Sequence, residues 1–162
     1  IIRYKEYNNT VNVTMINDLK PYIDRLRSSG LRPTKQRLSI CRVLFDRKET
    51  FHFTIDKLKK KIEKNTKSKV SLATVYNTVH AFKNNGFLRE ISLQGNKTFF
   101  DTNSTNHHHF YDEDSGDLMD IKNEDISVSK LPSAPKGKKI KDIEITINVA
   151  NNNHNQKNNL KK

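Results

Sequence analysis

Cysteine is almost missing from this chain of 162 residues, which contains Cys41 alone. One thiol excludes an internal disulfide and any structural zinc site built from four cysteines. Long apolar runs are missing too: none could cross a bilayer, and none follows a basic segment as a secretory signal would. These absences predict a cytoplasmic protein with no membrane partner. Because Cys41 falls on the apolar face of a predicted helix, we expect it to be a small core residue.

Acidic residues are scarce early in the chain and concentrated later. Residues 1–96 carry 20 Lys and Arg against 8 Asp and Glu, which accounts for the whole net charge of +12, whereas residues 97–162 carry 10 of each. Eight of the acids lie within residues 101–125, beside three consecutive histidines. This division favours a polyanion-binding module followed by a cation-binding one. From charge alone, a solvated basic surface with an acidic loop is an equal alternative.

Four helices are predicted ahead of the first clear strands. Apolar residues recur at helical spacing within residues 18–29, and Gly30 ends that run. Three further periodic segments begin after Thr34, Thr54 and Ser71, and each of these residues can cap a helix. The fourth helix is predicted to bury one stripe of apolar residues, namely Leu72, Val75, Val79 and Phe82.

The opposite face of the fourth helix is suited to DNA. It presents small, polar or aromatic side chains and no acid: Thr74, Tyr76, Asn77, Thr78 and Ala81. Such a face can enter a major groove without repelling phosphate, and can meet base edges and thymine methyl groups. An ordinary solvated face is the alternative, and it would usually carry more Lys and Glu.

Two alternating segments follow, residues 87–93 and 97–101, joined by a short polar turn that contains Gly95. This pattern predicts a β-hairpin. Helices followed by a hairpin are typical of a winged-helix DNA-binding domain. Arg32, Lys35 and Arg37 flank the start of the second helix, where they could reach phosphate or the minor groove.

The three consecutive histidines predict a ligand site. Neighbouring side chains of an extended segment alternate sides, so His107 and His109 can share a side while His108 faces away. Further ligands would come from His52, Asp101 and Asp120, a nitrogen and carboxylate set suited to iron, manganese or zinc. Haem held by one imidazole is the other possible ligand. The alternative without a ligand is a solvated polar loop.

The C-terminal part is predicted to contain little helix. Residues 118–121 form a short strand candidate, and residues 139–149 alternate apolar and polar side chains as a strand does. So few strands bury little surface alone, and pairing with a second copy of the chain would supply a core and two-fold symmetry. We therefore predict an α+β protein with an N-terminal extension (1–15), a winged-helix domain (16–101), a small α/β dimerisation and sensing domain (102–150) and a disordered tail (151–162). For the extension there are two alternatives: the chain is a trimmed fragment, or its natural start is Met15 and the residues before it are not native.

Four motifs in this order resemble the ferric uptake regulator family. They are LRPTKQR at residues 31–37, SLATVYNTV at 71–79, KTFFD at 97–101 and HHH at 107–109. The resemblance covers roughly residues 16–149. The run HHHFY at 107–111 and the lack of cysteine pairs are most similar to the iron response regulator subgroup.

The resemblance implies specific roles for the residues singled out above. It implies a dimeric repressor in which Tyr76 contacts bases, with Ser71, Thr74 and Asn77 near it, and Arg32 approaches the minor groove. The sensing metal site would use His52, Asp101, His109 and Asp120, and a second site would use His108. In the subgroup haem is the signal, but the Cys-Pro motif that some members use for it is missing because Arg42 follows Cys41.

The predicted function is repression of iron or haem homeostasis genes from a palindromic operator, with iron or haem as the signal. A manganese- or zinc-responsive repressor of the same family is the first alternative. A metallohydrolase using the His and Asp cluster is a second, although the chain lacks a helical His-x-x-x-His pair. Nonspecific nucleic-acid packaging is a third alternative. It fits the net positive charge of the chain but not a helix face that is suited to the major groove.

Overall fold

The computed structural model describes residues 9–66 and 69–152, which divide into two units between Ser104 and Thr105. Residues 1–8 and 153–162, which hold part of the predicted extension and most of the predicted tail, lie outside the described residues. The first unit contains helices α1 (Asn9–Ser28), α2 (Lys35–Phe45), α3 (Ile55–Thr66) and α4 (Leu72–Asn84). Its strands are β1 (His52–Phe53), β2 (Arg89–Leu93) and β3 (Lys97–Asp101).

Helix α1 starts at Asn9, well before the predicted residue 18, and therefore includes part of the predicted extension. The sequence prediction recognised no period in the residues before Met15, although Val11, Met15 and Leu19 recur at four-residue spacing, and the observed helix includes all three. The helix ends as predicted. Gly30 adopts φ +72°, and the N–H of Leu31 donates to the carbonyl of Leu26 at 2.9 Å, which closes the last turn.

All three predicted caps are confirmed. The hydroxyls of Thr34, Thr54 and Ser71 accept hydrogen bonds from backbone N–H groups three residues later, at 3.3, 3.2 and 3.0 Å. Each cap satisfies a donor that the first turn leaves open, and is worth about 1 kcal/mol. The caps thus fix where α2, α3 and α4 begin.

The first unit has a hydrophobic core, which is formed by buried side chains from its helices and strands. Cys41 is buried in it, as predicted. Each fully buried Leu, Ile or Phe contributes roughly 1.5–3 kcal/mol relative to an exposed one. The largest fully buried side chains of this unit are Leu26, Ile40, Leu44, Phe53, Leu58, Ile62, Phe82, Ile91 and Phe100.

The buried stripe of α4 differs from the prediction at two positions. Leu72 is 49% exposed, because it is the first residue of the helix and its side chain is directed toward the N-terminal end, beyond the packed turn. Thr78 is fully buried between Val75 and Phe82 on the inner face. Its hydroxyl donates to the Thr74 carbonyl at 2.7 Å, which satisfies the polar group inside the core.

The predicted hairpin is formed by β2 and β3. Their antiparallel pairing closes at Leu93 and Lys97, and in the turn Gly95 and Asn96 have φ of +77° and +58°. Strand β1, which was not predicted because it has only two residues, pairs with the other edge of β3. This pairing places His52 opposite Asp101 and Phe53 opposite Phe100.

The second unit is a small sheet of three strands in the order β5-β4-β6. Strand β4 (His108–Asp112) pairs antiparallel with β5 (Asp117–Ile121) and parallel with β6 (Thr146–Val149). Its described helix is one 3-10 turn, Asn123–Asp125. With the helical first unit, this gives the predicted α+β fold class. Among the described residues, no helix is long and apolar enough to cross a membrane.

The strand predicted over residues 139–149 was too long, since β6 begins only at Thr146. Alternating apolar and polar side chains predict that a segment has two different faces. They do not show whether a neighbouring strand is present to form backbone hydrogen bonds with it. Just before β6, the N–H of Ile145 donates to Nδ1 of His108 at 3.3 Å rather than to a strand carbonyl. The carbonyl of Ile145 still accepts from the N–H of His109 at 3.0 Å, so the imidazole replaces only the donor side of the ladder at this residue.

Candidate metal ligands and nucleic-acid interface

The first unit brings two of the predicted metal ligands together. His52 and Asp101 face each other across β1 and β3, and Nε2 of His52 lies 3.3 Å from Oδ2 of Asp101. The carboxylate is fully buried, and its other oxygen accepts a hydrogen bond from the N–H of Asn103 at 2.8 Å. A buried carboxylate is costly unless it faces a donor or a cation. This pair offers one nitrogen and one oxygen in a fixed arrangement.

The second unit places His107 and His109 on one side, as the alternation argument predicts. Both are buried, and their ring centroids are 4.4 Å apart. Asp120 pairs with His109 across β4 and β5. Its Oδ1 lies 3.2 Å from Nε2 of His107 and 3.8 Å from Nε2 of His109. One carboxylate oxygen thus faces two imidazole nitrogens.

The backbone fixes which nitrogen of His107 can bind a metal. Its Nδ1 lies 2.8 Å from the carbonyl oxygen of Thr105, and because a carbonyl only accepts, Nδ1 must carry the proton. In the neutral ring the lone pair is then on Nε2, the atom that faces Asp120. Carbonyl groups orient metal-binding histidines in this way in many proteins.

His108 is turned away from its neighbours. Its Nδ1 accepts the hydrogen bond from the N–H of Ile145, so in the neutral ring the proton is on Nε2 and no lone pair remains for a metal. The residue lines a separate groove with Asn106 and Asp142. The structure therefore does not bring His108 together with His107 and His109.

Glu144 was not identified from the sequence. Its Oε1 lies 3.7 Å from Nδ1 of His109, and its side chain is 31% exposed. In the sequence, Glu144 is recognisable only as an acidic residue within the alternating segment 139–149. However, its position beside His109 depends on the parallel register of β6 on β4, which pairs His109 with Thr146 and cannot be read from one sequence.

The donor set of both units suits a borderline or hard divalent metal. The atoms on offer are imidazole nitrogens and carboxylate oxygens, which iron, manganese and zinc accept. Cys41 is buried, and burial raises the pKa of its thiol to about 12, so it does not supply a thiolate. These residues therefore fit a divalent metal ion.

The exposed face of α4 remains suited to DNA. Tyr76 is 52% exposed and Asn77 is exposed, whereas Thr78 is removed from this face by burial. At the helix start, the hydroxyls of Ser71 and Thr74 are hydrogen bonded to each other at 2.8 Å. The face is neutral and polar, as groove entry requires.

Basic residues at the start of α2 lie next to the start of α4. Gln36 Nε2 donates to the Lys69 carbonyl at 3.3 Å, and a groove is lined by Thr34, Lys35, Gln36, Arg37 and Thr74. Arg32 and Lys35 are exposed. Arg37 is half-buried, and its Nη1 donates to the carbonyl of Arg32 at 2.9 Å, so it supports the loop that carries Arg32. The structure thus assembles cations beside the polar face of α4.

Comparison with known proteins identifies relatives of this fold. A family model described as the ferric uptake regulator family matches residues 28–148. The peroxide-responsive repressor PerR of Staphylococcus aureus strain Mu50 is 31% identical over 105 residues, which cover 65% of this chain and 69% of the relative.

Solved structures agree with this result at the level of the fold. The ferric uptake regulator from Francisella tularensis with iron has a TM-score of 0.62 at 20% identity, covering 76% of this chain and 93% of that chain. The Vibrio cholerae ferric uptake regulator has a TM-score of 0.61 at 22% identity, covering 79% and 98%.

Proposed function

Because the chain belongs to the ferric uptake regulator family, we propose that it is a repressor whose DNA affinity is controlled by a divalent metal, iron foremost. Members are metal-responsive transcription regulators, not enzymes, and they bind DNA as dimers. The metallohydrolase alternative is therefore wrong. The observation that carries the metal proposal is the placement of one Asp120 oxygen within 3.8 Å of Nε2 of both His107 and His109.

We assign metal-ligand roles within each unit separately. In the first unit the ligands are His52 and Asp101, and in the second they are His107, His109 and Asp120. Glu144 lies beside Nδ1 of His109 and orients that ring, as carboxylates do behind metal-bound histidines. A bound cation supplies charge that offsets the cost of the buried Asp101 carboxylate. The metal role that the resemblance gives to His108 is not part of this assignment, because its Nδ1 is used by Ile145.

The DNA-contacting residues are assigned to α4 and the start of α2. Tyr76 and Asn77 would meet base edges, with Ser71 and Thr74 at the helix start, while Arg32 and Lys35 contact the backbone or minor groove. Arg37 would act mainly by holding the Arg32 loop. We further propose a palindromic operator, target genes of iron or haem homeostasis, and a cytoplasmic location.

Exposed apolar side chains support dimerisation through the second unit. Five of the seven large exposed hydrophobic residues among the described ones lie in that unit: Met119, Val128, Leu131, Ile140 and Ile147. Strand β6 is also an edge strand of the sheet that the described residues form, and an edge strand can pair with a second chain. We expect Ile147→Asp to shift the protein from dimer to monomer in sedimentation experiments. A dimer that persists in this variant and in Met119→Asp would contradict this location of the interface.

Metal titration of DNA binding tests the proposed function. DNA would first be selected from a random library with the manganese-loaded protein, and affinity for it measured with iron(II) under anaerobic conditions, manganese, zinc or a chelator. Linkage between the sites predicts a change of roughly 5- to 150-fold with the physiological metal. Affinity that is the same with every metal and with the chelator would contradict the proposal. Selection without any sequence preference would instead favour nonspecific packaging.

A peroxide response is the second candidate, because the curated relative is a peroxide-responsive repressor. The buried Cys41, with its pKa raised to about 12, cannot serve as a reactive thiolate. A peroxide response would therefore act at the metal ligands. Iron(II) reduces hydrogen peroxide readily and is oxidised by it, whereas manganese(II) is not, so we expect peroxide to abolish DNA binding of the iron-loaded protein but not of the manganese-loaded protein. Equal sensitivity of the two forms would contradict this candidate.

Haem as the signal comes from the likeness of residues 107–111 to the iron response regulator subgroup. The burial of His107 and His109 and the hydrogen bond to His108 favour a bare ion over a porphyrin. Absorption spectra and metal analysis of protein purified from its host distinguish the two. A Soret band would establish haem, and a bound transition metal without that band would exclude it as the resident ligand.

A further inference from the structure

A continuous series of ring contacts crosses the first unit from Phe51 to Tyr76. Phe51 stacks on Phe53 with ring centroids 5.2 Å apart, and Phe53 stacks on Phe100 at 5.8 Å. His80 meets Phe100 edge-on at 5.4 Å, and Tyr76 packs on His80 at 4.1 Å. The series therefore begins at buried rings of the core and ends at the exposed Tyr76.

His80 is the only member of this series that contacts Tyr76, four residues earlier on α4. Residues at this spacing lie one above the other on a helix, so the two rings meet on one face. Tyr76 is about half exposed, and its ring packs against this imidazole. On its other side, His80 is held by the fully buried Phe100. The imidazole thus links an exposed ring to a buried ring of the core.

The inner end of the series lies beside the proposed ligands of the first unit. Phe53 follows His52 in β1, Phe100 precedes Asp101 in β3, and the two pairs are adjacent rungs of one antiparallel ladder. A shift of the backbone at His52 and Asp101 must therefore move Phe53 and Phe100. The interior is close-packed, so such a shift is passed to the ring that rests on Phe100.

We propose that His80 is a positioning residue, which holds the Tyr76 ring in its DNA-reading orientation and couples it to the state of His52 and Asp101. This inference rests on the proposed function, in which Tyr76 contacts bases. An imidazole suits this partly buried position because its flat faces pack on rings while its nitrogens remain compatible with water. The role depends on ring shape, so a phenyl ring at this position preserves it.

Substitutions at His80 test the positioning role. The ratio of specific to nonspecific DNA affinity would be measured for His80→Ala, His80→Gln and His80→Phe with manganese-loaded protein. We expect the first two to lower the ratio about 2- to 10-fold, the size of one aromatic pair, and His80→Phe to retain it. Combined with Tyr76→Ala, the change His80→Ala should cause no further loss, because the two residues act as a unit. Additive losses would overturn the proposal.

The same variants test the coupling. The factor by which manganese changes DNA affinity should shrink in His80→Ala, while the manganese affinity of the DNA-free protein stays the same. Thermal melting of each variant checks that it folds, and His80→Gln replaces His80→Ala if the latter does not. If His80→Phe loses as much as His80→Ala, the imidazole itself contacts DNA and the inference is wrong. If the wild type lacks sequence preference or a metal effect, the proposed function fails; if it has both and His80→Ala keeps both, only this inference fails.

Discussion

Asp120 lies opposite His109 in the β4–β5 pair, and the same carboxylate oxygen reaches Nε2 of His107 two residues away. Asp120 comes eleven positions after His109 in the sequence, so the strand register rather than local spacing brings the carboxylate to both imidazoles. His107 comes immediately before β4, and two-residue alternation puts its ring on the same side as that of His109. The proposed ligands of this unit therefore depend on one hairpin.

We expect Asp120→Asn to weaken metal binding strongly. The amide keeps the shape of the side chain but removes the charge that faces the two imidazoles. Loss of outer-shell partners costs roughly 10- to 100-fold in metal affinity, so loss of a direct ligand should cost at least the upper value. Titration with a competing chelator measures this. Glu113→Gln removes an exposed acid of the same unit and should leave the affinity unchanged; an equal effect of the two changes would show that only net charge matters.

His108→Ala should affect the sheet and not the metal. The change removes the acceptor for the N–H of Ile145, which costs about 1 kcal/mol of unfolding free energy for a hydrogen bond of this kind. Urea unfolding with and without manganese separates the two effects. His108→Asn offers another acceptor and should recover part of the stability. A loss of metal affinity in both variants, with unchanged stability, would support the second metal site that the family resemblance implies.

Much of the first unit could be predicted from the sequence, because caps and apolar periodicity are local signals. Thr34, Thr54 and Ser71 mark three helix starts correctly. The errors on α4, at Leu72 and Thr78, arise because periodicity defines a stripe but not where the neighbouring elements end. In the second unit, alternation separates His107 and His109 from His108, but Glu144 and the true start of β6 depend on a parallel register between distant segments. That information is not local.

Cys41 should make the stability depend on pH in the alkaline range. Burial raises the pKa of its thiol from 9.0 to about 12. Between these values the unfolded chain loses the thiol proton first, so the unfolding free energy falls as pH rises. In Cys41→Ala this contribution is missing. The stability difference between wild type and variant should therefore shrink by about 1 kcal/mol between about pH 8 and about pH 10, as measured by urea unfolding. A difference that stays constant would show that the thiol titrates normally in the folded protein.

Ser71 caps α4 and is also assigned to the DNA-contacting face, and a pair of substitutions separates these roles. Ser71→Ala removes the acceptor for the Thr74 N–H and should cost about 1 kcal/mol of unfolding free energy. Ser71→Asp restores an acceptor and suits the helix dipole, so stability should be kept, yet it adds a negative charge where phosphate approaches. We therefore expect Ser71→Asp to melt like the wild type and to bind DNA more weakly than Ser71→Ala does. Thr54→Asp is the matched control, since Thr54 caps α3 in the same way outside this face. If it weakens DNA binding as much as Ser71→Asp, the effect is due to net charge, and the start of α4 is not at the DNA.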